Sequence, residues 1–221
     1  MTLLRGERLT RSTGGIRDRF RSQMRQEVKD VALRQLADGG PQALSVNAIA
    51  KELGVSGPAL YRYFAGRDAL LTELILDAYA DLTAALTAAP PGLTGLAAAY
   101  RAWAVAQPHR YRLLFSAPLP GYDAHEQRLV AAAQQAMNAV FRALPAGDRA
   151  TTLDPVMDAQ LTAWTPEVQP GRALAAITVW SRLHGLVSLE IEGNFASIGL
   201  DPDRLFAREV AALLEIGSPT E

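Results

Sequence analysis

The stretch from Ser45 to Phe64 constrains this chain most, because it reads as two short helices that meet at a glycine. Val46, Ile49, Ala50 and Leu53 repeat at i, i+3, i+4 and i+7, one buried helical face, with Ser45 placed to cap its start. Gly54 follows as a residue able to take the left-handed backbone that ends a helix. Ser56 can cap a second helix, and Pro58 falls near its start, where amide donors lack intrahelical partners. A chain that turns and restarts within three residues predicts a helix-turn-helix, with Ala50 as the small residue where the helices cross and Gly54 in the turn.

An ordinary helical hairpin without a ligand has the same spacing, so surface chemistry must separate the two readings. Tyr61, Arg62, Tyr63 and Arg67 place hydroxyl and guanidinium donors around the second helix and the start of the next. Such groups hold phosphates in motifs that dock in a DNA groove. With Ser45, Ser56, Gly57, Pro58 and Ala59 they make up the expected DNA-binding set. Gly57, Pro58 and Ala59 offer only close backbone or apolar contacts, so base readout is expected to lean on thymine methyls, Arg62 and duplex shape.

The net charge of −1 suits a DNA binder only once the chain is divided. Residues 1 to 67 hold 12 Lys plus Arg against 6 Asp plus Glu, a net +6, and the remainder carries −7. A basic module and an acidic body is the distribution expected for electrostatically assisted DNA binding, with chance asymmetry as the plain alternative. Arg5, Arg8 and Arg11 lie among glycines, Ser12 and Thr13 without helical periodicity. Residues 1–15 are therefore expected to form a basic arm, disordered when free, either a solvated tail or one that enters a minor groove.

The run Ala59-Leu60-Tyr61-Arg62-Tyr63-Phe64-Ala65-Gly66-Arg67-Asp68-Ala69-Leu70-Leu71, with the stretch from Ser45 before it, resembles the DNA-binding domain of the tetracycline-repressor (TetR/AcrR) family. Arg67 stands where that family usually has lysine, and Pro58-Ala59 replaces its commoner small-hydroxyl pair. Farther on, Trp180-Ser181-Arg182-Leu183-His184-Gly185-Leu186 and Pro108-His109-Arg110-Tyr111-Arg112-Leu113-Leu114-Phe115 look like the C-terminal ligand-binding domain of the subfamily named after its Trp-His-Gly pattern. The resemblance implies a homodimeric repressor whose C-terminal core binds an effector.

The fold class expected is all-α: a three-helix DNA-binding domain over 16–66, a helical effector-binding and dimerisation bundle over 67–216, and a flexible tail at 217–221. Phe20, Met24, Val28, Val31, Ala32 and Leu36 form an apolar stripe on a helix from about Ile16 to Asp38, ended by Gly39-Gly40-Pro41. Further helices are expected over 67–88, 94–107, 109–115, 124–144, 155–164, 170–192 and 202–215, with proline-rich breaks between them. There is no alternating strand pattern.

From Ala173 to Leu189 only Arg182 carries a full charge, so this helix is expected to be buried on all sides. Arg182 and His184 near its middle argue against a membrane span. Packing against its own domain on one side and a second subunit on the other is the better account, and Gly185 suggests that another helix comes close. Ile177, Leu189, Leu205, Val210 and Leu213 are the candidate dimer contacts, two helices from each chain forming a four-helix interface.

Trp103, Tyr111, Phe115, Met137, Phe141, Met157, Trp164, Trp180 and His184 are the candidate effector pocket, bulky apolar walls with a few polar handles. His109, His125 and His184 include no i, i+4 pair and there is no cysteine, so no metal site is expected. No nucleophile motif, phosphate-cradling loop or cofactor fingerprint is present, so neither a cofactor nor catalysis is expected. The partners expected are palindromic double-stranded DNA, a mostly apolar small molecule and a second copy of the chain, with no membrane. No secretory signal is apparent, and the expected location is cytoplasmic. Two other readings stay open: a helical small-molecule-binding protein without DNA function, and a helical enzyme.

Overall fold

The computed structural model of the chain describes residues 10–115, 121–145 and 153–217, and every regular element among them is helical. In order these are α1 (Thr10–Gly39), a 3₁₀ turn (Pro41–Ala43), α2 (Val46–Glu52), α3 (Gly57–Leu60), α4 (Arg67–Thr87), α5 (Leu93–Ala106), α6 (Pro108–Phe115), α7 (Gln127–Ala143), α8 (Pro155–Trp164), α9 (Pro170–Ile191), α10 (Asn194–Ser197) and α11 (Pro202–Gly217). The 3₁₀ turn and α10 are too short to leave a periodic trace in the sequence. The chain divides into two units, one holding the residues up to Ile75 with those around 121–124, the other the rest. The boundary between the two units lies inside α4.

In the first unit, Val28, Val31, Ala32 and Leu36 of α1 are buried with Leu44, Val46, Ile49, Ala50, Leu60, Phe64, Leu70, Leu71 and Leu74. Two expectations for α1 need correction. Residues 10–15, assigned to a disordered arm, have helical backbone, while residues 1–9, with Arg5 and Arg8, lie outside the described residues. The apolar stripe also outruns the core, since Ile16 and Phe20 are 57% and 61% exposed. The short helices α2 and α3 offer too little surface to cover a 30-residue helix along its whole length.

The link between α2 and α3 is built as the spacing predicts. Ser45 Oγ accepts from the Ala48 amide at 3.3 Å, and Ser56 Oγ from the Ala59 amide at 3.3 Å. At the end of α2, Gly54 has φ +67°, its amide donates to the Lys51 carbonyl, and the Val55 amide reaches back to the Ala50 carbonyl at 2.9 Å. These are the paired bonds of a Schellman motif, which satisfy carbonyls that a helix end otherwise leaves bare. Arg25 ties α1 to the far side of this motif. One guanidinium nitrogen donates to the Tyr63 carbonyl at 2.6 Å, another to Glu73 at 3.1 Å, and its carbon lies 4.4 Å from the centre of the Phe64 ring.

In the second unit, one apolar cluster joins α4, α5, α6, α7, α9 and α11 through residues such as Leu82, Leu96, Trp103, Tyr111, Val140, Leu183 and Leu213. Polar ties, several of them made by arginines, cross it. Arg101 of α5 donates to both Glu190 oxygens of α9 at 2.7 Å and to Asp203 of α11 at 2.6 Å. Arg172 of α9 donates to the Phe141 carbonyl at 2.7 Å, adding a strong donor to an acceptor at the C-terminal end of α7 that among the described residues otherwise has only the Leu144 amide at 3.4 Å. Arg182 of α9 pairs with Glu209 of α11.

Within a single chain helix α9 is covered along one face. Ala173, Ala176, Val179, Leu183 and Val187 form one buried stripe, whereas Ser181 and Leu189 are exposed and the rest are half-buried. Its apolar composition exceeds what its own chain covers. No helix among the described residues is long and apolar enough to cross a membrane.

Candidate DNA-reading surface and aromatic core

Around α3 the side chains sort cleanly by exposure. Leu60 and Phe64 point into the core, at 1% and 4% exposure, while Ser56, Pro58, Tyr61 and Arg62 face outward and Gly57, Ala59 and Tyr63 are half-buried. The outward set is therefore a cap, a rigid proline, a phenol and a guanidinium. Among the described residues Arg62 has no ion-pair partner. Asn47 of α2 joins this surface although nothing in its local pattern singled it out: its side-chain oxygen would lie 3.7 Å from a Cβ added at Gly57. That proximity depends on how α2 and α3 cross, which sequence spacing does not specify.

Arg67 stands differently from the exposed cations. It is half-buried at the start of α4, and its guanidinium donates to the Pro41 carbonyl at 2.8 Å, closing the loop that follows α1 onto α4. Its buried Nε has no hydrogen-bond partner. A guanidinium held this way acts first on the domain's own backbone, so the phosphate contact expected of Arg67 competes with a structural bond.

In the second unit the nine candidate pocket residues separate into groups. Tyr111, Phe115, Trp180 and His184 come together: the His184 ring is stacked between Tyr111 and Trp180 at centroid distances of 5.6 and 5.5 Å, and Phe115 meets it edge-on at 4.8 Å. Tyr100, which sequence reading missed, completes the cluster. Its hydroxyl lies 3.3 Å from His184 Nδ1, and that of Tyr111 lies 2.7 Å from the same nitrogen. Burial holds the His184 pKa below its ordinary value and pushes that of Tyr111 above its own, so both groups are neutral near pH 7. The Tyr111 hydroxyl also lies within donating distance of the His184 carbonyl, at 3.2 Å.

Trp103 is buried elsewhere in the cluster, its indole N–H donating to Asp81 of α4 at 3.0 Å, and Arg110 donates to the same carboxylate oxygen at 3.1 Å. Asp81 was also missed, since an acidic residue on an exposed-looking helix turn gives no signal of the two donors that converge on it. Met137 packs against the core, and Phe141 faces Trp164 at 5.9 Å. Met157 and Trp164, however, are 39% and 40% exposed and do not join the His184 group. The reason lies in α8, which buries only Leu161 and leaves the ends of that face uncovered.

The dimer candidates also divide. Val210 and Leu213 are 8% and 1% exposed within a single chain, where with Phe206 they form the inner face of α11. Within one chain they are core residues, because i, i+4 and i+7 on α11 face the protomer's own cluster. Leu189 is 45% exposed, and Ile177 and Leu205 are half-buried. The close approach expected at Gly185 is not made within the chain, since an added Cβ there would meet nothing within 4 Å. Among the described residues no group of three His, Asp or Glu side chains is placed to hold a metal ion.

Two family models match the chain: residues 29–74 fit the one described as bacterial regulatory proteins, tetR family, and residues 93–213 the one described as tetracyclin repressor-like, C-terminal domain. The HTH-type transcriptional regulator Rv1816 of Mycobacterium tuberculosis (strain ATCC 25618 / H37Rv) is 31% identical over 223 residues, which cover 91% of this chain and 95% of the relative. The HTH-type transcriptional regulator Mb1846 of Mycobacterium bovis shows the same identity and coverage. Among solved structures, that of SCO4313, named as a regulatory protein, superposes with a TM-score of 0.80 at 45% identity, over 90% of this chain and 98% of the other. A tetR-family regulatory protein from Rhodococcus RHA1 shares the fold at a TM-score of 0.56 and 20% identity, over 89% and 98% of the two chains.

Proposed function

This chain belongs to the tetR family of DNA-binding transcriptional regulators, and on that footing we propose that it is a homodimeric repressor, released from a palindromic operator by a small, mostly apolar effector. The observation that carries the DNA-reading part is the division of residues around α3. Leu60 and Phe64 fasten this helix to the core while Tyr61 and Arg62 stand outward beside Gly57, Pro58 and Ala59. Tyr61 and Arg62 hold phosphates or base edges, and the small residues let the helix backbone come close to the groove. Ser45 and Ser56 act by keeping the two helices capped, and Tyr63 by lending its carbonyl to Arg25.

The dimer reading is supported by the surplus apolar surface on α9 and α11. Leu189 of α9 and Leu214 of α11 are 45% and 44% exposed, and the open space at Gly185 would accept the backbone of a second copy. An effector site is supported by the aromatic group around His184, where a single polar edge sits among rings. Arg110 and Tyr111 are adjacent on α6, one bonded to Asp81 of α4 and the other to His184. A ligand that displaces the Tyr111 ring therefore pulls on α4, whose first turns belong to the DNA-binding unit. The site of action is the cytoplasm, with the operator.

Selection of bound sequences from random duplexes tests the reading. Enrichment of two inverted half-sites, their centres a whole number of helical turns apart, about 34 Å or a multiple, is the expected result. Failure to enrich any sequence would leave a helical small-molecule-binding protein as the better description.

A further inference from the structure

We propose that Arg17 and Arg21 extend the DNA-contacting surface along α1, binding phosphates of the duplex that flanks the half-site read by α3. The inference rests on the DNA-reading function above and adds to it a second contact region with its own residues. It starts from a helix that outruns its domain. From Gly15 to Gln23 every residue is exposed, and among the described side chains of α1 the first buried one is Val28. From Thr10 to Arg25 this helix carries Arg11, Arg17, Arg19, Arg21 and Arg25 against the single acid Asp18.

The arginines are not scattered. Arg17, Arg21 and Arg25 stand at i, i+4 and i+8, one row on one helix face. The inner member fixes where the row begins, since Arg25 donates to the Tyr63 carbonyl at 2.6 Å and lies over the Phe64 ring. Tyr63 directly follows Tyr61 and Arg62, so the row sets out from the C-terminal end of the reading helix. At 1.5 Å per residue, Arg21 is about 6 Å and Arg17 about 12 Å farther along the axis. Duplex DNA presents a phosphate about every 3.4 Å along each strand, so a row of this length spans several.

Charge identifies the occupant. Arg25 is engaged by Glu73 and by a carbonyl, and Arg19 donates to its own helix at Gly15, whereas among the described residues Arg17 and Arg21 have no acceptor. Two guanidinium groups one turn apart, both solvated, on a helix that includes Gly14 and Gly15 and has no core beneath it, suit a polyanion better than an apolar partner. Ile16 and Phe20 lie on the neighbouring row and would be shielded by the same duplex.

The test compares the full-length wild type with the double variant Arg17→Ala/Arg21→Ala on the selected operator, at salt concentrations between 50 and 200 mM. Each lost phosphate contact lowers the slope of log binding constant against log salt by about 0.9, and a dimer on two half-sites loses four, so a reduction of about 3.6 is expected, with the same base preference. Arg17→Lys/Arg21→Lys should keep the wild-type slope. On a duplex trimmed to the two half-sites, wild type and double Ala variant should bind alike. A double Ala variant that keeps the full slope on the long duplex overturns the inference while leaving the α3 reading intact, and self-association of the free chain through Ile16 and Phe20 would give that result. A wild type that binds no duplex overturns both.

Discussion

The Tyr111 hydroxyl lies 2.7 Å from His184 Nδ1, joining α6 to the middle of α9 through a histidine stacked between two aromatic rings. Burial disfavours the charged imidazole and thereby ties the folded second unit to the neutral form of His184.

A pH dependence follows from that tie. The pKa of His184 is lowered from 6.5 in the folded chain, so as pH falls below about 6.5 the unfolded chain takes up the proton first. Stability is therefore highest above that pH and is lost as pH falls through the folded value. His109 contributes in the same direction, through burial and then the charges of Arg110 and Arg112. Urea unfolding between pH 7.5 and 5 should show midpoints that fall with pH, and His184→Gln should flatten the decline. An unchanged slope in that variant would place the effect elsewhere.

Removing the carboxylate of Asp81 should destabilise the second unit. Asp81→Ala leaves the buried Trp103 indole N–H without its acceptor and Arg110 without its ion pair. A buried donor left unsatisfied costs about 1–3 kcal/mol, measurable by chemical unfolding with unchanged helix content in the native baseline. A loss below about 0.5 kcal/mol would mean that water replaces the carboxylate at no cost.

Arg67→Ala separates a structural from a phosphate-binding role. If the bond to the Pro41 carbonyl is its main contribution, thermal unfolding of the first unit moves to lower temperature by about 1–2 kcal/mol in stability, and the salt slope of operator binding stays at the wild-type value. A slope reduced by about 1.8, one contact from each protomer, with unaltered stability would restore the phosphate role.

Gly57→Ser should change base preference without unfolding the motif. Gly57 does not take a positive φ, and an added Cβ meets only Asn47 Oδ1 at 3.7 Å. Selected sequences should shift at one position of each half-site, where a changed contact is worth about 1–3 kcal/mol, while the melting temperature stays close to that of the wild type. A variant that no longer folds would show that the glycine is required by packing.

The sequence by itself determined the helical class, the Ser45, Gly54 and Ser56 punctuation of the DNA-reading motif and most helix limits, because caps and 3.6-residue periodicity act over a few neighbouring residues. It also isolated α9 as too apolar for an ordinary surface helix. What only the tertiary structure decided was which apolar and charged groups find partners. Phe20 and Val28 belong to one stripe, yet only Val28 is covered, and Val210 and Leu213 looked like an outer seam but fill the protomer's own core. Met157 and Trp164 stay apart from His184, whereas Tyr100 joins it from 84 residues away. Periodicity specifies the face of a helix on which a side chain lies. Whether anything lies opposite depends on the length and crossing of the neighbouring helices, and these are set by contacts distant in the chain.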